Sequence, residues 1–130
     1  MAAPIYVVDD EPYIRAAVMA ILTEAGYPAQ AFESAEELYQ RVYEWPENPS
    51  MIIVDEMLPN GHSGDQIVRT LRQRPEYRDI PFIFLTAVST DAAERLGDLA
   101  PVVRKPFDFG DLVTRVEELI GPAEQVARAG

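Results

Sequence analysis

The chain has no cysteine, which excludes disulfides, thiolate metal sites and cysteine nucleophiles. Basic residues are scarce as well: 11 lysines and arginines stand against 22 acidic residues, giving a formal net charge of −11. Such a surface repels nucleic acid and anionic membranes, so we expect direct binding to neither. No apolar run approaches the roughly 20 residues that cross a bilayer, and no secretory signal opens the chain. We therefore expect a cytoplasmic protein.

What the chain does contain is a regular alternation of short apolar runs and stretches of helical spacing. Its 130 residues, 48% of them apolar, are enough for one domain with a substantial core. The alternation is typical of βαβ units that build a parallel sheet. It predicts an α/β fold of five strands and five helices: a flavodoxin-like three-layer sandwich with strand order 2-1-3-4-5. We expect the domain to span residues 1–121, and residues 122–130 to form a tail or a linker stub.

Apolar runs and capping residues predict where the elements lie. The predicted strands cover residues 5–8, 29–32, 51–54, 82–85 and 102–103. Ser34 stands three residues before Glu37, which predicts a capped second helix, and Asp108 caps the last helix. We expect a short fourth helix with Asp91 and Glu94 at its capping positions.

Polar side chains follow or close the predicted strands, and these are Asp9, Asp10, Asp55, Thr86 and Lys105. The carboxyl ends of parallel strands meet at one edge, so we expect the five to converge there. Taken singly, each residue has an ordinary structural role: the aspartates can cap helices, Thr86 can close a strand, and Lys105 can be a solvated surface cation. Together, the carboxylates suit a hard ion such as Mg²⁺, while the ammonium and hydroxyl groups suit phosphate oxygens. Asp55, at the centre, is either another ligand or a nucleophile that accepts a phosphoryl group.

Short segments around these residues carry a family resemblance. They are Val8-Asp9-Asp10-Glu11-Pro12, Val54-Asp55 with Leu58-Pro59 after it, Leu85-Thr86-Ala87 and Lys105-Pro106-Phe107. In this order, over roughly residues 4–121, the chain resembles the receiver domain of two-component response regulators.

The resemblance implies a role for each matched residue. The phosphoacceptor would be Asp55; the Mg²⁺ ligands would be Asp9, Asp10, Asp55 and the backbone carbonyl of Met57; the switch hydroxyl would be Thr86; the phosphate-binding cation would be Lys105. The family's usual cis lysine–proline bond is expected at Lys105–Pro106, since a cis X–Pro bond costs only about 0.5–1 kcal/mol.

The resemblance also implies partners. A histidine kinase or a histidine phosphotransfer protein would donate the phosphoryl group, and an effector domain or protein would respond to it. The domain would catalyse only its own phosphorylation and dephosphorylation, so it would not be an enzyme acting on other substrates. Whether it forms a homodimer stays open.

Three departures from the family pattern stand out. Val102 occupies a position that usually holds tyrosine or phenylalanine, so coupling is expected to pass through Thr86 and backbone shifts. The stretch from Thr86 to Lys105 is short, which predicts a truncated fourth helix or following loop and places standard dimerisation there in doubt. Glu56 replaces an apolar residue after the proposed phosphoacceptor, and the sequence does not explain it.

Three other functions are compatible with an α/β fold of this kind. A receiver could act without phosphorylation, as a protein-interaction module, and the missing aromatic residue and short fourth helix favour that reading somewhat. A phosphatase on a related fold would need a second acid two residues after the nucleophile, and Asp9 followed by Glu11 matches this poorly. A flavin phosphate would be repelled by the acidic first loop.

Four further residues could be functional but also have simpler structural interpretations. His62, the only histidine, lies in a predicted turn, whereas a phosphorelay histidine would need a helix. Trp45 is expected to cover the end of the second helix, with an exposed partner contact as the alternative. Met57 and Val88 flank the proposed site, where they would border the path of an attacking water and slow loss of the phosphoryl group.

Overall fold

The computed structural model describes residues 3–87 and 89–123 and shows a five-stranded parallel sheet. Its strands are β1 (Ile5–Val8), β2 (Ala29–Phe32), β3 (Met51–Val54), β4 (Phe82–Thr86) and β5 (Val102–Arg104). They lie in the order β2-β1-β3-β4-β5, which confirms the predicted topology. Since all neighbouring pairs are parallel, every strand ends at the same edge, here called the carboxyl edge.

Five α-helices connect the strands or follow the last one. They are α1 (Pro12–Glu24), α2 (Ala35–Glu44), α3 (Gly64–Arg72), α4 (Thr90–Gly97) and α5 (Phe109–Ile120). Side chains cap α2 and α5 as predicted, because Ser34 accepts from the Glu37 N–H and Asp108 accepts from the Asp111 N–H. None of the helices in the described ranges combines the length and apolar character needed to cross a membrane.

The capping residues predicted for the fourth helix were wrong. The α4 helix begins at Thr90, because Ser89 is its N-cap and accepts from the Ala92 N–H at 3.2 Å. Asp91 lies inside the first turn, where its charge still favours the helix dipole. A short 3₁₀ helix, Pro75–Tyr77, was not predicted, because three residues are too few to show a periodic pattern.

The core lies on both faces of the sheet. All residues of β1 and β3 are buried, as their uninterrupted apolar sequences require. Alternate residues of β1 face opposite ways: Tyr6 and Val8 pack toward α2, α3 and α4, while Ile5 and Val7 pack toward α1 and α5. The two helix layers thus fix the sheet, and with it the position of every strand end.

The described part of the chain ends just past α5. Gly121 follows the helix with φ +86°, a left-handed conformation that favours glycine, and its carbonyl accepts from the Tyr27 hydroxyl at 2.7 Å. The predicted boundary at residue 121 stays a prediction. Of the predicted tail, residues 124–130 lie outside the described residues.

Candidate active site at the carboxyl edge

Three of the predicted side chains meet at the carboxyl edge. Asp9 follows β1 and Asp55 follows β3, and these strands pair in register, Val8 with Val54. Lys105 follows β5 and reaches back across the sheet, so that its Nζ lies 3.0 Å from Asp9 Oδ2 and 2.9 Å from Asp55 Oδ2. The expected convergence of these charges therefore occurs.

The two aspartates are deeply buried. Asp9 is 1% exposed and Asp55 is 5% exposed, and one ammonium group pairs with both. Buried carboxylates require such a partner, because an unpaired buried charge is strongly unfavourable. Glu11 completes the surroundings of Lys105, with Oε1 3.6 Å from Nζ and its side chain open to solvent. One cation thus serves three acids, which leaves an excess of negative charge in the pocket.

The ionisation behaviour follows from this arrangement. Burial raises the pKa of Asp9, and the charge of Asp55 adds to that effect, while hydrogen bonds from the Glu11 N–H and Lys105 oppose it. Burial works to lower the pKa of Lys105, but its hydrogen bonds with Asp55 and Asp9 outweigh burial and raise it. The lysine is therefore held in its charged form.

A group of carboxylates in this pocket has the character of a cation site. Oxygen atoms of Asp9, Glu11 and Asp55 lie within 4.8 Å of one another. An all-oxygen ligand set with excess negative charge fits a hard divalent ion such as Mg²⁺. Glu11 was not among the predicted ligands, although it directly follows the aspartate pair and its N–H donates to Asp9 Oδ1 at 2.9 Å.

The structure does not place every predicted ligand in this group. Asp10 is exposed and is not one of the three clustered acids. Met57 donates its backbone N–H to Asp55 Oδ1 at 3.1 Å, while its side chain is exposed. Asp10 and the Met57 carbonyl as metal ligands therefore stay predictions. Val88, the other residue predicted to flank the site, lies outside the described residues.

Thr86 is linked to the site through the backbone. It is the last residue of β4 and is buried, and its carbonyl accepts from the Lys105 N–H at 2.9 Å. The Lys105–Pro106 peptide bond is cis, which confirms that expectation. A displacement of Thr86 would therefore be transmitted directly to Lys105.

Gly64 lies directly against the backbone of Asp55. It begins α3, and its N–H donates to the Glu56 carbonyl at 2.9 Å. A Cβ atom at this position would lie 2.6 Å from the Asp55 carbonyl oxygen, closer than real Cβ atoms come to backbone. Only glycine lets the helix begin so near the acidic residue, and sequence reasoning did not identify this role.

Glu56, unexplained from the sequence, lies beside Asp65 in a cleft between α3 and α4. Burial raises the pKa of Glu56 to about 7, helped by its hydrogen bond with Asp65 and by the charges of Asp65 and Asp55. Hydrogen bonds from Ser63 and Glu56 lower the pKa of Asp65. Of the two carboxyl groups, Glu56 is therefore the one that keeps its proton to higher pH.

The turn after β3 and Val102 in β5 lie near the site residues along the chain. His62 lies in the turn after β3, with Nε2 3.3 Å from Glu36 Oε1, as a surface residue would. Asn60 and Gly61 in that turn have positive φ values of 64° and 76°. Val102 is partly buried and packs against the core, so no aromatic ring occupies this position at the edge.

Comparison with known proteins agrees with this geometry. The family model described as the response regulator receiver domain matches residues 5–117. The phosphate regulon transcriptional regulatory protein PhoB of Rhizobium meliloti (strain 1021) is 34% identical over 128 residues, covering 95% of this chain and 55% of that protein. The chain thus spans about half the length of the curated relatives it matches.

Two solved structures are similar as well. The receiver domain of a signal transduction histidine kinase from Syntrophus aciditrophicus has a TM-score of 0.80 and 29% identity, covering 92% of this chain and 90% of that one. The response regulator TrrA of Thermotoga maritima, solved with Mg²⁺ and BeF, has a TM-score of 0.77 and 32% identity, covering 90% and 98%. The chain belongs to the response regulator receiver domain family.

Proposed function

We propose that this chain is a phosphoacceptor receiver domain in which Asp55 accepts a phosphoryl group. The observation that carries the proposal is the contact of 2.9 Å between Asp55 Oδ2 and Lys105 Nζ, two side chains that are both largely buried. A buried carboxylate at the centre of the sheet edge is positioned to act as a nucleophile, and an adjacent ammonium group is positioned to meet the charge that arrives.

The proposed step is a simple displacement. A carboxylate oxygen of Asp55 attacks the phosphorus of a phosphohistidine or of a small phosphodonor. The bond to the leaving nitrogen or oxygen breaks with its electron pair, and an acyl phosphate forms on Asp55. Lys105 then pairs with the phosphoryl oxygens, and the Thr86 hydroxyl donates to them. The domain acts in this way on itself alone.

Mg²⁺ is the proposed cofactor. The residues that would hold it are Asp55, Asp9 and Glu11, whose carboxylate oxygens cluster, together with Asp10 and the Met57 carbonyl, which the family resemblance implies. When bound, the ion supplies positive charge to the phosphoryl oxygens. The capture of TrrA with Mg²⁺ and BeF supports the assignment by similarity.

The switch follows from the link between Thr86 and Lys105. Attraction of the Thr86 hydroxyl toward a phosphoryl group would shift the end of β4, and the backbone hydrogen bond would carry the shift to Lys105. A histidine kinase or phosphotransfer protein is the proposed donor, an effector domain or protein the proposed target, and the cytoplasm the proposed location.

The test is intact-mass measurement after incubation with acetyl phosphate and Mg²⁺. Wild type is expected to gain the mass of one phosphoryl group, and Asp55→Asn is expected to gain none. Asp79→Asn, which changes an exposed aspartate away from the pocket, is the matched control and should behave as wild type. An adduct that persists in Asp55→Asn would falsify the assignment.

A phosphorylation-independent module is the second candidate, favoured by Val102 in place of the aromatic switch residue. It predicts no adduct on wild type under conditions that label a related receiver, and unchanged partner binding in Asp55→Asn.

A further inference from the structure

Two adjoining grooves lie at the amino edge of the sheet, opposite the site, and we name them together the Trp45 surface. One groove, of about 650 Å³, is lined by Pro4, Tyr6, Arg41 and Asn48 among others. The second, of about 400 Å³, lies against Tyr43, Pro46 and Arg74. Trp45 and Asn48 line both, so the indole forms part of the wall of each.

The aromatic rings of this surface are exposed to solvent. Trp45 is 53% exposed and Tyr43 is 57% exposed. Each ring therefore leaves apolar surface in contact with water, which a bound partner would bury. Trp45 is the C-cap residue of α2, and the expectation that its ring covers the end of this helix stays a prediction. Tryptophan, tyrosine and arginine are the residue types that dominate binding energy at protein interfaces. Their concentration around two grooves indicates a binding surface.

The rings are also held in place before any ligand arrives. The Arg41 guanidinium lies 4.7 Å from the centre of the Trp45 ring and donates to the Gln30 side chain. Tyr43 stacks on Tyr39 with 6.0 Å between ring centres, and the Arg74 guanidinium lies 5.0 Å from the Tyr43 ring. Preorganised rings lose little conformational entropy when they bind, which favours affinity.

The shape and the hydrogen-bond donors of the Trp45 surface suit a ligand in the polyproline II conformation. Polyproline II segments present pyrrolidine rings that pack into aromatic grooves, and carbonyls that accept from nearby donors. The Trp45 surface supplies two adjoining grooves with aromatic residues in their walls, and the Trp45 indole N–H and the Asn48 amide are donors. Asn48 is fixed by its hydrogen bond to the Glu76 carbonyl, 3.1 Å long.

Charge selects the flanking residue of the ligand. The grooves are lined by two arginines and three glutamates, and one of the arginines, Arg74, pairs with Glu76 at 2.7 Å. Glu44 and Glu47 are exposed at the groove margins, on a chain whose net charge is −11. An acidic peptide would be repelled here, whereas a basic one is attracted.

We infer that the Trp45 surface binds an extended, proline-containing segment of a partner protein that carries at least one basic residue. This site is separate from the phosphoacceptor pocket and does not depend on its function. It would let the domain be tethered to a partner at one edge while the other edge is modified.

The test uses the intrinsic fluorescence of Trp45, the only tryptophan in the chain. The probe is a synthetic peptide of about ten residues with two Pro-x-x-Pro repeats and an arginine, which extends about 31 Å. We expect a saturable change in emission with unmodified protein. The same peptide with alanine for proline, or with glutamate for arginine, should bind at least about tenfold more weakly.

Two variants locate the binding. Tyr43→Ala keeps the reporting indole and should weaken binding by about tenfold or more. Tyr13→Ala, which removes a 90% exposed ring outside the grooves, should bind as wild type does. Thermal unfolding of each variant shows that it is folded. The inference is overturned if no saturable change occurs, if the proline-free peptide binds equally well, or if both variants lose binding alike. Emission that depends on protein concentration without peptide would overturn it in favour of a second copy of the chain.

Discussion

The two edges of the sheet stabilise their polar and aromatic groups in opposite ways. At the carboxyl edge, Asp9 and Asp55 are buried and depend on the single ammonium group of Lys105. At the amino edge, the rings of Tyr43 and Trp45 are more than half exposed and stack with guanidinium groups that solvent also reaches. Buried charges tolerate no loss of a partner, whereas exposed stacking contributes only about 0.5–1 kcal/mol. Changes at the first edge should therefore alter folding and chemistry together, and changes at the second should alter contacts alone.

The largest effect is expected from Lys105→Met. This change leaves Asp9 and Asp55 buried beside each other without a cation, which should lower the free energy of unfolding by about 3–5 kcal/mol. Urea denaturation measures the loss, and added Mg²⁺ should stabilise the variant more than wild type. Arg115→Met, which removes a half-exposed partner of Glu118, is the control and should cost less than about 1 kcal/mol. Equal losses in the two variants would show that the burial of the Lys105 ion pairs contributes nothing to stability.

Gly64→Ala should come next. Its Cβ would meet the Asp55 carbonyl at 2.6 Å, so α3 or the Asp55 backbone must shift, at a cost of about 1–3 kcal/mol. Phosphorylation by acetyl phosphate should slow as Asp55 moves. Gly97→Ala is the matched control: nothing lies within 4 Å of its Cβ, and it ends α4 without a positive φ. Urea denaturation should show it to be as stable as wild type or slightly more stable. Wild-type stability in Gly64→Ala would show that the close approach is not required.

Glu56→Gln should have a smaller effect that depends on pH. The folded state holds the Glu56 proton up to a pKa of about 7, whereas the unfolded state releases it near the ordinary value of 4.5. The unfolded state therefore binds fewer protons in this window, so wild-type stability falls as pH rises through it. Glutamine has no such proton and can still donate to Asp65. Urea denaturation should find the variant more stable by about 1–2 kcal/mol at about pH 8, with little difference at about pH 5. A difference that does not change with pH would contradict the raised pKa of Glu56.

The smallest effect on stability is expected from Trp45→Ala. The ring is half exposed and its main partner, Arg41, also lies against Phe32, so the loss should stay below about 1 kcal/mol. Thermal unfolding beside Lys105→Met gives the comparison directly. A loss as large as that of the lysine variant would mean that the amino edge is part of the structural core.

The sequence predicted best what depends on the order of elements. Asp55 follows an apolar run and Lys105 follows the last strand, and parallel topology alone brings such residues together. It failed where the position of a residue depends on a helix. Glu11 and Gly64 act through where α1 and α3 begin relative to the strand ends, which no periodicity records. The grooves beside Trp45 likewise form only where the end of α2 meets distant segments, the residues before β1 in one groove and Arg74 and Glu76 in the other.

The central claim is that Asp55, Thr86 and Lys105 form one pocket that responds to a phosphoryl group. Titration of the protein with Mg²⁺ and beryllofluoride, followed by residue-resolved NMR, tests it most directly. The account predicts that the amide signals of these three residues shift when both ligands are present, and that Asp55→Asn shows no such shift. Unchanged signals in wild type, or the same shifts in Asp55→Asn, would contradict it.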